Sequence, residues 1–261
     1  MILTETAYAK INLALHVRRR REDGYHELET VFAFCEQGDV LTAEAAGTLS
    51  LTIDGPFGNG LSATDNLIVR AAEAMGVPAR LHLTKNLPVA SGLGGGSADA
   101  AAALRLLERL TGQTMPPLDI QRALGADVPA CVVSQTMRGE GVGEALSPVA
   151  SVSGTPVLLV NPRIPLSTGA VFKAWDGIDR GPLGDWIEGR NDLEAPACTL
   201  VPEIAVLIEW LRSRRDVTLA RMSGSGATCF ALFDSLTARQ NAAREAAVAF
   251  PDYWAMESVL R

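Results

Sequence analysis

No stretch of this chain approaches the ~18 consecutive apolar residues of a membrane span. Its start, MILTETAYAKINLALHV, shows no basic leader followed by an apolar core, so a secretory signal is not expected. Metal-ligand patterns are missing as well. Cys35, Cys131, Cys198 and Cys229 form no C-x-x-C pair, and His16, His26 and His82 are equally dispersed, so no zinc spacing arises and no metal site is expected. Scattered cysteines of this kind read as small buried apolar side chains in a reducing cytoplasm. A positive surplus is also absent. The net charge of −7 argues against a nucleic-acid binder, whose footprint is basic, but leaves phosphorylated small molecules open, because a local pocket can be positive on an acidic protein. The remainder, 261 residues with 48% hydrophobic and 20% charged, describes a soluble globular chain of one large domain or two smaller ones.

The densest signal lies between Pro88 and Leu104, PVASGLGGGSADAAAAL, where four of the five residues from Gly92 to Gly96 are glycine. Before it, RLHLTKNLP alternates Leu81 and Leu83 with His82 and Thr84, as a half-buried strand does. After it, ADAAAALRLLERLTG is rich in alanine and leucine, with Gly112 placed to end a helix. Ser97 reads as the N-cap and Asp99 as a first-turn carboxylate at the positive end of the helix dipole. The stretch therefore predicts strand, glycine loop, helix. Glycines allow left-handed angles and close approach, and the first N–H groups of the helix point into the loop. That combination suits an anion, phosphate being the usual one. A flexible connector is the plain alternative, but linkers seldom lead straight from a strand into so strong a helix. Neither familiar nucleotide loop fits. No lysine follows the glycines as G-x-x-x-x-G-K-[ST] requires, and Ser97 stands where G-x-G-x-x-G needs its third glycine.

Along the chain, residues 4–17 read as one long strand or two in succession, and Arg18 to Arg21 as a basic run ending in a turn at Glu22-Asp23-Gly24. HELETVFAFCEQ returns as a strand. DVLTAEAA and TLSLTIDG follow with Gly47 between them, the pattern of a hairpin. Thr64 or Asp65 is expected to cap a helix through NLIVRAAEAM, stopped by Gly76 and Pro78. After the loop helix, residues 117–124 predict a short helix. Asp127 is placed in a turn ahead of Pro129, which disfavours helix at Val128. MRGEGVGEAL reads as an irregular turn or hairpin. From Thr155 the pattern restarts: a buried strand TPVLLVNP, a short helix capped by Ser167 or Thr168, an amphipathic helix over VPEIAVLIEWLRSR, two strands around SGSGA, a last helix and a final strand. This second half mixes helices with a mostly antiparallel sheet.

PVASGLGGGSADAAAAL resembles the second motif of the GHMP kinases, a family of small-molecule kinases named for galactokinase, homoserine kinase, mevalonate kinase and phosphomevalonate kinase. AKINLALHVRRRREDGYHELETVF and RMSGSGATCFALF resemble its first and third motifs, while TDNLIVRA, GADVPA, GEGVGE and STGAVFKAW match between them. Each is weak alone; in order, they span most of the chain. One departure is Ala98, since the most similar members carry two serines where this chain has Ser97 and Ala98. The resemblance implies an α+β protein with the two-domain GHMP kinase fold. An N-terminal α/β nucleotide-binding domain would occupy residues 1–153, and a C-terminal ferredoxin-like α+β domain, residues 154–261, would complete the acceptor site.

Phosphoryl transfer to an alcohol needs phosphates held still, charge on the moving group compensated, and a hydroxyl oriented with its proton accepted. Alone, Lys10 would read as a snorkelling surface lysine and Asp127 as a turn residue. The resemblance implies instead that they meet, with Asp127 the base for the acceptor hydroxyl. Lys10 would keep that carboxylate charged and help neutralise the transferring group. It further implies ATP with Mg²⁺, the phosphates being held by Pro88, Ser91, Gly92, Gly94, Gly95, Gly96 and Ser97, with Asn66 and Lys85 near the adenine. Ser223 to Gly226 would bring a second glycine turn to the phosphates. Asp23-Gly24-Tyr25-His26 resembles the cytidine-binding motif of those members whose acceptor is a cytidine-diphosphate-linked alcohol, and Asn12, Thr168 and Phe172 match acceptor positions. The expected partners are small molecules, without nucleic acid or membrane, for a monomer or homodimer. Another small-molecule kinase of the family, or a catalytically silent nucleotide-binding relative, stays open at this point.

Overall fold

The structure is a computed structural model that describes residues 1–261. Two long strands open it, β1 (Ile2–Arg20) and β2 (His26–Ala45), followed by β3 (Ser50–Asp54), α1 (Leu67–Met75), β4 (Ala79–Thr84), α2 (Gly95–Thr111), α3 (Leu118–Leu124), α4 (Val128–Val133), β5 (Met137–Gly141) and β6 (Ala145–Pro148). The rest comprises β7 (Pro156–Asn161), α5 (Thr168–Ala174), α6 (Glu194–Leu200), α7 (Glu203–Arg212), β8 (Val217–Met222), β9 (Cys229–Phe233), α8 (Leu236–Ala249) and β10 (Trp254–Val259). No helix is long and apolar enough to cross a membrane.

The first six strands form one sheet in the order β3-β4-β2-β5-β6, with β1 paired to β2. The expected hairpin between β2 and β3 is not there. β4 lies between them, antiparallel to β2 and parallel to β3, with Leu41 opposite Leu83 and Leu83 opposite Ile53. Leu41, Leu81 and Leu83 are all fully buried, so the more apolar strand takes the inner place and β3 is left at the edge. MRGEGVGEAL forms the antiparallel β5–β6 hairpin.

The other four strands make an antiparallel sheet in the order β10-β7-β9-β8. With helices between β7 and β8 and between β9 and β10, this is the ferredoxin-like arrangement that the sequence leads one to expect. β7 is buried along its whole length. Ile204, Leu207, Ile208 and Leu211 of α7 pack with β7, β8 and β9 in one apolar core.

The chain divides into two compact units that do not follow one another in sequence. One comprises residues 1–10, 37–89 and 94–134; the other comprises residues 11–36, 90–93 and 135–261. The boundary expected at 153/154 separates the strands of the two sheets, whereas compactness follows a different division that cuts β1, β2 and the glycine loop.

Helix ends differ from the sequence reading in instructive ways. Asn66, rather than Thr64 or Asp65, caps α1, its side chain accepting from Ile68 N. α2 starts at Gly95, with Gly94 in the left-handed region at φ 62° as its N-cap, so Ser97 lies inside the first turn and Asp99 beyond it. Val128 opens α4 despite the following proline, because Pro129 occupies a first-turn position where a backbone N–H has no intrahelical partner anyway. Ser167 caps α5 as expected.

Candidate active site

In the first unit, β1 is buried as it reaches Lys10, with Ala7 and Ala9 fully enclosed. Lys10 is itself 4% exposed, so its ammonium needs a partner. Asp127 supplies it: Lys10 Nζ stands 3.1 Å from Asp127 Oδ2. Asp127 occupies the N-cap position of α4 but makes no capping bond, which leaves the carboxylate for the lysine. Its side chain keeps 31% exposure against 5% for Lys10, so the carboxylate is the member of the pair that another molecule can reach.

Gly94 borders this pair. A Cβ there would sit 2.9 Å from Lys10 Cε and 3.5 Å from Asp127 Oδ2. The backbone at Gly94 therefore runs against the ion pair with no room for a side chain. From Gly95 onward α2 presents its first amides, unbonded within the helix by geometry, on the same stretch of chain. Alanines 100 to 103, all fully buried, let α2 pack closely on α1 and α4.

Lys85 and Asn66, expected near the adenine, both have partners within the protein. Lys85 is 3% exposed and donates to Asp39 Oδ2 (2.5 Å) and Asp99 Oδ2 (2.7 Å). Burial alone would pull its ammonium down, but the Asp99 and Asp39 carboxylates together outweigh that and hold it above the ordinary lysine value. Asn66 is engaged by α1 and by Ser62 O, to which Nδ2 donates at 3.1 Å. Pro88 is buried at the end of this segment.

In the second unit, residues 90–93 meet the glycine turn of the third motif, Ser223 to Gly226. Ser223 Oγ donates to Gly92 O (2.9 Å) and accepts from Asn12 N (3.2 Å), while Thr228 N donates to Ser91 O (3.1 Å). A Cβ on Gly92 would lie 2.4 Å from Ser223 O. Asn12 Nδ2 donates to Thr30 Oγ1 at 2.8 Å, and Asn12 Oδ1 flanks Gly224. Sequence reasoning missed Asn191, whose Nδ2 donates to Met222 O and Gly224 O, both at 2.8 Å, and so fixes the turn. Its position in the run Arg190-Asn191-Asp192 carries no periodic or glycine signal that would have singled it out.

Asp23-Gly24-Tyr25-His26 forms the tight turn joining β1 to β2. Asp23 Oδ1 accepts from Tyr25 N, Arg21 N donates to Tyr25 O, and Gly24 is left-handed at φ 87°. The Tyr25 side chain projects from it, 63% exposed. His26 stacks on Phe172 of α5 (centroids 4.7 Å apart, planes at 30°) and meets Trp175 edge-on. Burial, then the charge of Arg20, lowers the His26 pKa, so the ring is neutral at pH 7 with one nitrogen donating and one accepting. Thr168 Oγ1 lies 2.9 Å from Ser225 Oγ, linking α5 to the third turn.

A glycine loop opening a buried helix, with a lysine–aspartate pair beside it, is an arrangement suited to a phosphotransferase acting on small molecules. Residues 66–135 match the family model for the GHMP kinases N terminal domain, and residues 172–252 that for the GHMP kinases C terminal domain. Two curated relatives match along the whole chain, both named 4-diphosphocytidyl-2-C-methyl-D-erythritol kinase. One, from Rhizorhabdus wittichii, is 52% identical over 99% of this chain and 94% of its own length. The other, from Novosphingobium aromaticivorans, is 53% identical over 100% of this chain and 94% of its own. A crystal structure of 4-(cytidine 5'-diphospho)-2C-methyl-D-erythritol kinase aligns with a TM-score of 0.84 at 34% identity, covering 98% of this chain and 99% of that one. The chain belongs to the GHMP kinase family.

Proposed function

We propose that this chain transfers the γ-phosphoryl group of ATP to the 2-hydroxyl of 4-diphosphocytidyl-2-C-methyl-D-erythritol, a step of non-mevalonate isoprenoid precursor synthesis in the cytoplasm. The observation that carries the reading is the Lys10–Asp127 pair beside Gly94, in a chain more than half identical over its full length to relatives named for that reaction. The acceptor oxygen bonds to the γ-phosphorus as the bond to the β,γ-bridging oxygen breaks, and ADP leaves. The hydroxyl proton passes to Asp127. Lys10 faces both the carboxylate and the charge gathering on the transferring group, a placement that stabilises charge developing in the transition state.

Gly94, Gly95, Gly96 and Ser97 hold the phosphates through backbone amides, with Ser91 and Gly92 completing the loop. Mg²⁺ would arrive on those phosphates. No group of three or more His, Cys, Asp or Glu side chains is arranged to hold an ion, which suits a cation that takes most of its ligands from ATP and water.

Tyr25, His26 and Phe172 recognise the cytosine, and Asn12 and Thr168 orient the alcohol. A panel of acceptors in an ATP-consumption assay tests the reading. Turnover is expected with the cytidyl compound and not with homoserine, mevalonate or galactose; preference for one of these, or turnover with none, would overturn it.

A further inference from the structure

One cluster of charge lies apart from the Lys10–Asp127 pair. Asp39 on β2, Lys85 after β4 and Asp99 on α2 are respectively 0%, 3% and 4% exposed. Two of the three ammonium protons of Lys85 are already taken by carboxylates. Asp39 also accepts from Asn86 N (2.6 Å) and Leu87 N (2.8 Å) through its other oxygen. One ammonium therefore ties both ends of the glycine loop: the segment 85–87 that enters it, through Asp39, and the helix that leaves it, through Asp99. The cluster also touches the loop itself. A Cβ on Gly95 would lie 3.0 Å from Lys85 Nζ. The ammonium thus stands against the first residue of α2.

We propose that Lys85, held by Asp39 and Asp99, is a positioning residue that sets the glycine loop for the ATP phosphates. The proposal rests on the loop being the phosphate cradle. Two carboxylates against one ammonium leave an excess of negative charge in a buried place, and Asp99 Oδ1 is buried without a hydrogen-bond partner. Burial pushes the Asp99 carboxyl up to about 7, Lys85 opposing and Asp39 adding to the shift. Of the other charged groups near α2, Lys10 of β1 and Asp127 pair with each other beside Gly94, and Arg105 of α2 pairs with Glu5 of β1. The Cys131 thiol of α4 is kept protonated by burial, and Arg70 and Glu73 of α1 are exposed. Triphosphate brought to the front of the loop adds negative potential, so Asp99 takes up a proton from the buffer as ATP binds.

Calorimetric titration with a non-hydrolysable ATP analogue, at neutral pH in two buffers of different ionisation enthalpy, reads that proton directly. The parent is expected to take up a fraction of a proton more than Asp99→Asn. Lys85→Met, folded by circular dichroism, is expected to bind the analogue at least tenfold more weakly, with the acceptor KM moving less than twofold. Equal proton uptake in parent and Asp99→Asn, or an unchanged Kd in Lys85→Met, would overturn the proposal. If Lys85→Met does not fold, the Asp99→Asn comparison decides alone. Gly94→Ala separates this from the underlying reading: if it binds the analogue like the parent, the loop is not the cradle. If it loses binding while the Lys85 and Asp99 variants behave as the parent, only the positioning role falls.

Discussion

Lys10 and Asp127 form an ion pair of 3.1 Å in which the lysine is enclosed and the aspartate is reachable. That asymmetry suits an aspartate that takes a proton and a lysine that never leaves. Asp127→Asn keeps size and removes the base, so kcat should fall by about 10²–10⁴-fold with the acceptor KM little changed. Lys10→Met should be comparably severe, and because the two act as a unit the double variant should be far more active than the product of the single losses. A variant retaining half its kcat in steady-state assays would remove Asp127 from the mechanism.

At Gly94 two penalties coincide. Alanine there must adopt a left-handed angle, and its Cβ would press on Lys10 Cε. Gly94→Ala should lower kcat on the order of 10²-fold, because small displacements of a reacting constellation are costly. Its thermal melt should drop by only a few degrees. Gly95 is the less direct probe, because its Cβ would point toward Lys85, so a loss in Gly95→Val mixes phosphate contact with disturbance of the buried lysine.

The stacking of His26 on Phe172 bears on cytosine recognition. A base entering between Tyr25 and Phe172, as the sequence leads one to expect, must displace His26 from that ring and receive its edge contact instead. Tyr25→Ala and His26→Ala should each raise the acceptor KM at least tenfold, since base–aromatic stacking is worth about 1–3 kcal/mol, with the ATP KM nearly unchanged. A uridyl analogue should be a poor acceptor, because its donor and acceptor pattern is reversed and buried partners are left unpaired. Equal use of both acceptors in competition assays would mean that this motif does not read the base.

Asp99 also makes stability depend on pH. Its folded carboxyl titrates at about 7, against about 3.9 in an unfolded chain. The native state thus binds the proton more tightly, so this contribution is fully present below about pH 4 and is lost as pH rises through about 7. Asp99→Asn cannot titrate. The Tm of the variant minus that of the parent should therefore become more positive between about pH 5 and pH 8. A difference that stays flat across that range would show that Asp99 does not carry the proton.

Local grammar was readable from residues alone. Gly76 and Gly112 end their helices in left-handed conformations, the alternation through Leu81 and Leu83 is a strand, and the two strands around SGSGA pair as expected. What escaped is what sequence distance hides. A lysine with carboxylates at 39 and 99 shows no pattern along the chain, so Lys85 was placed by likeness and not by its partners. The β2–β3 hairpin looked local because Gly47 intervenes, but neighbours in a sheet are settled by which strand is most apolar. α4 was hidden by Pro129, whose effect on the preceding residue is a preference that a first-turn position overrides.

The interleaving of the two compact units has a consequence for how the chain is made. Synthesis from the N-terminus delivers every residue of the first unit once Ser134 has emerged, so that unit can close while translation continues. The second cannot. Its residues 11–36 are among the earliest produced, yet they must wait for Gln135–Arg261. Through that interval Leu13, Leu15, Val17, Phe32 and Phe34, all buried in the finished protein, lack the sheet and helices that later cover them. A premature stop or a stalled ribosome after Ser134 would therefore leave residues 11–36 as uncovered apolar strand segments set between parts of the first unit, the kind of product that chaperones and proteases intercept.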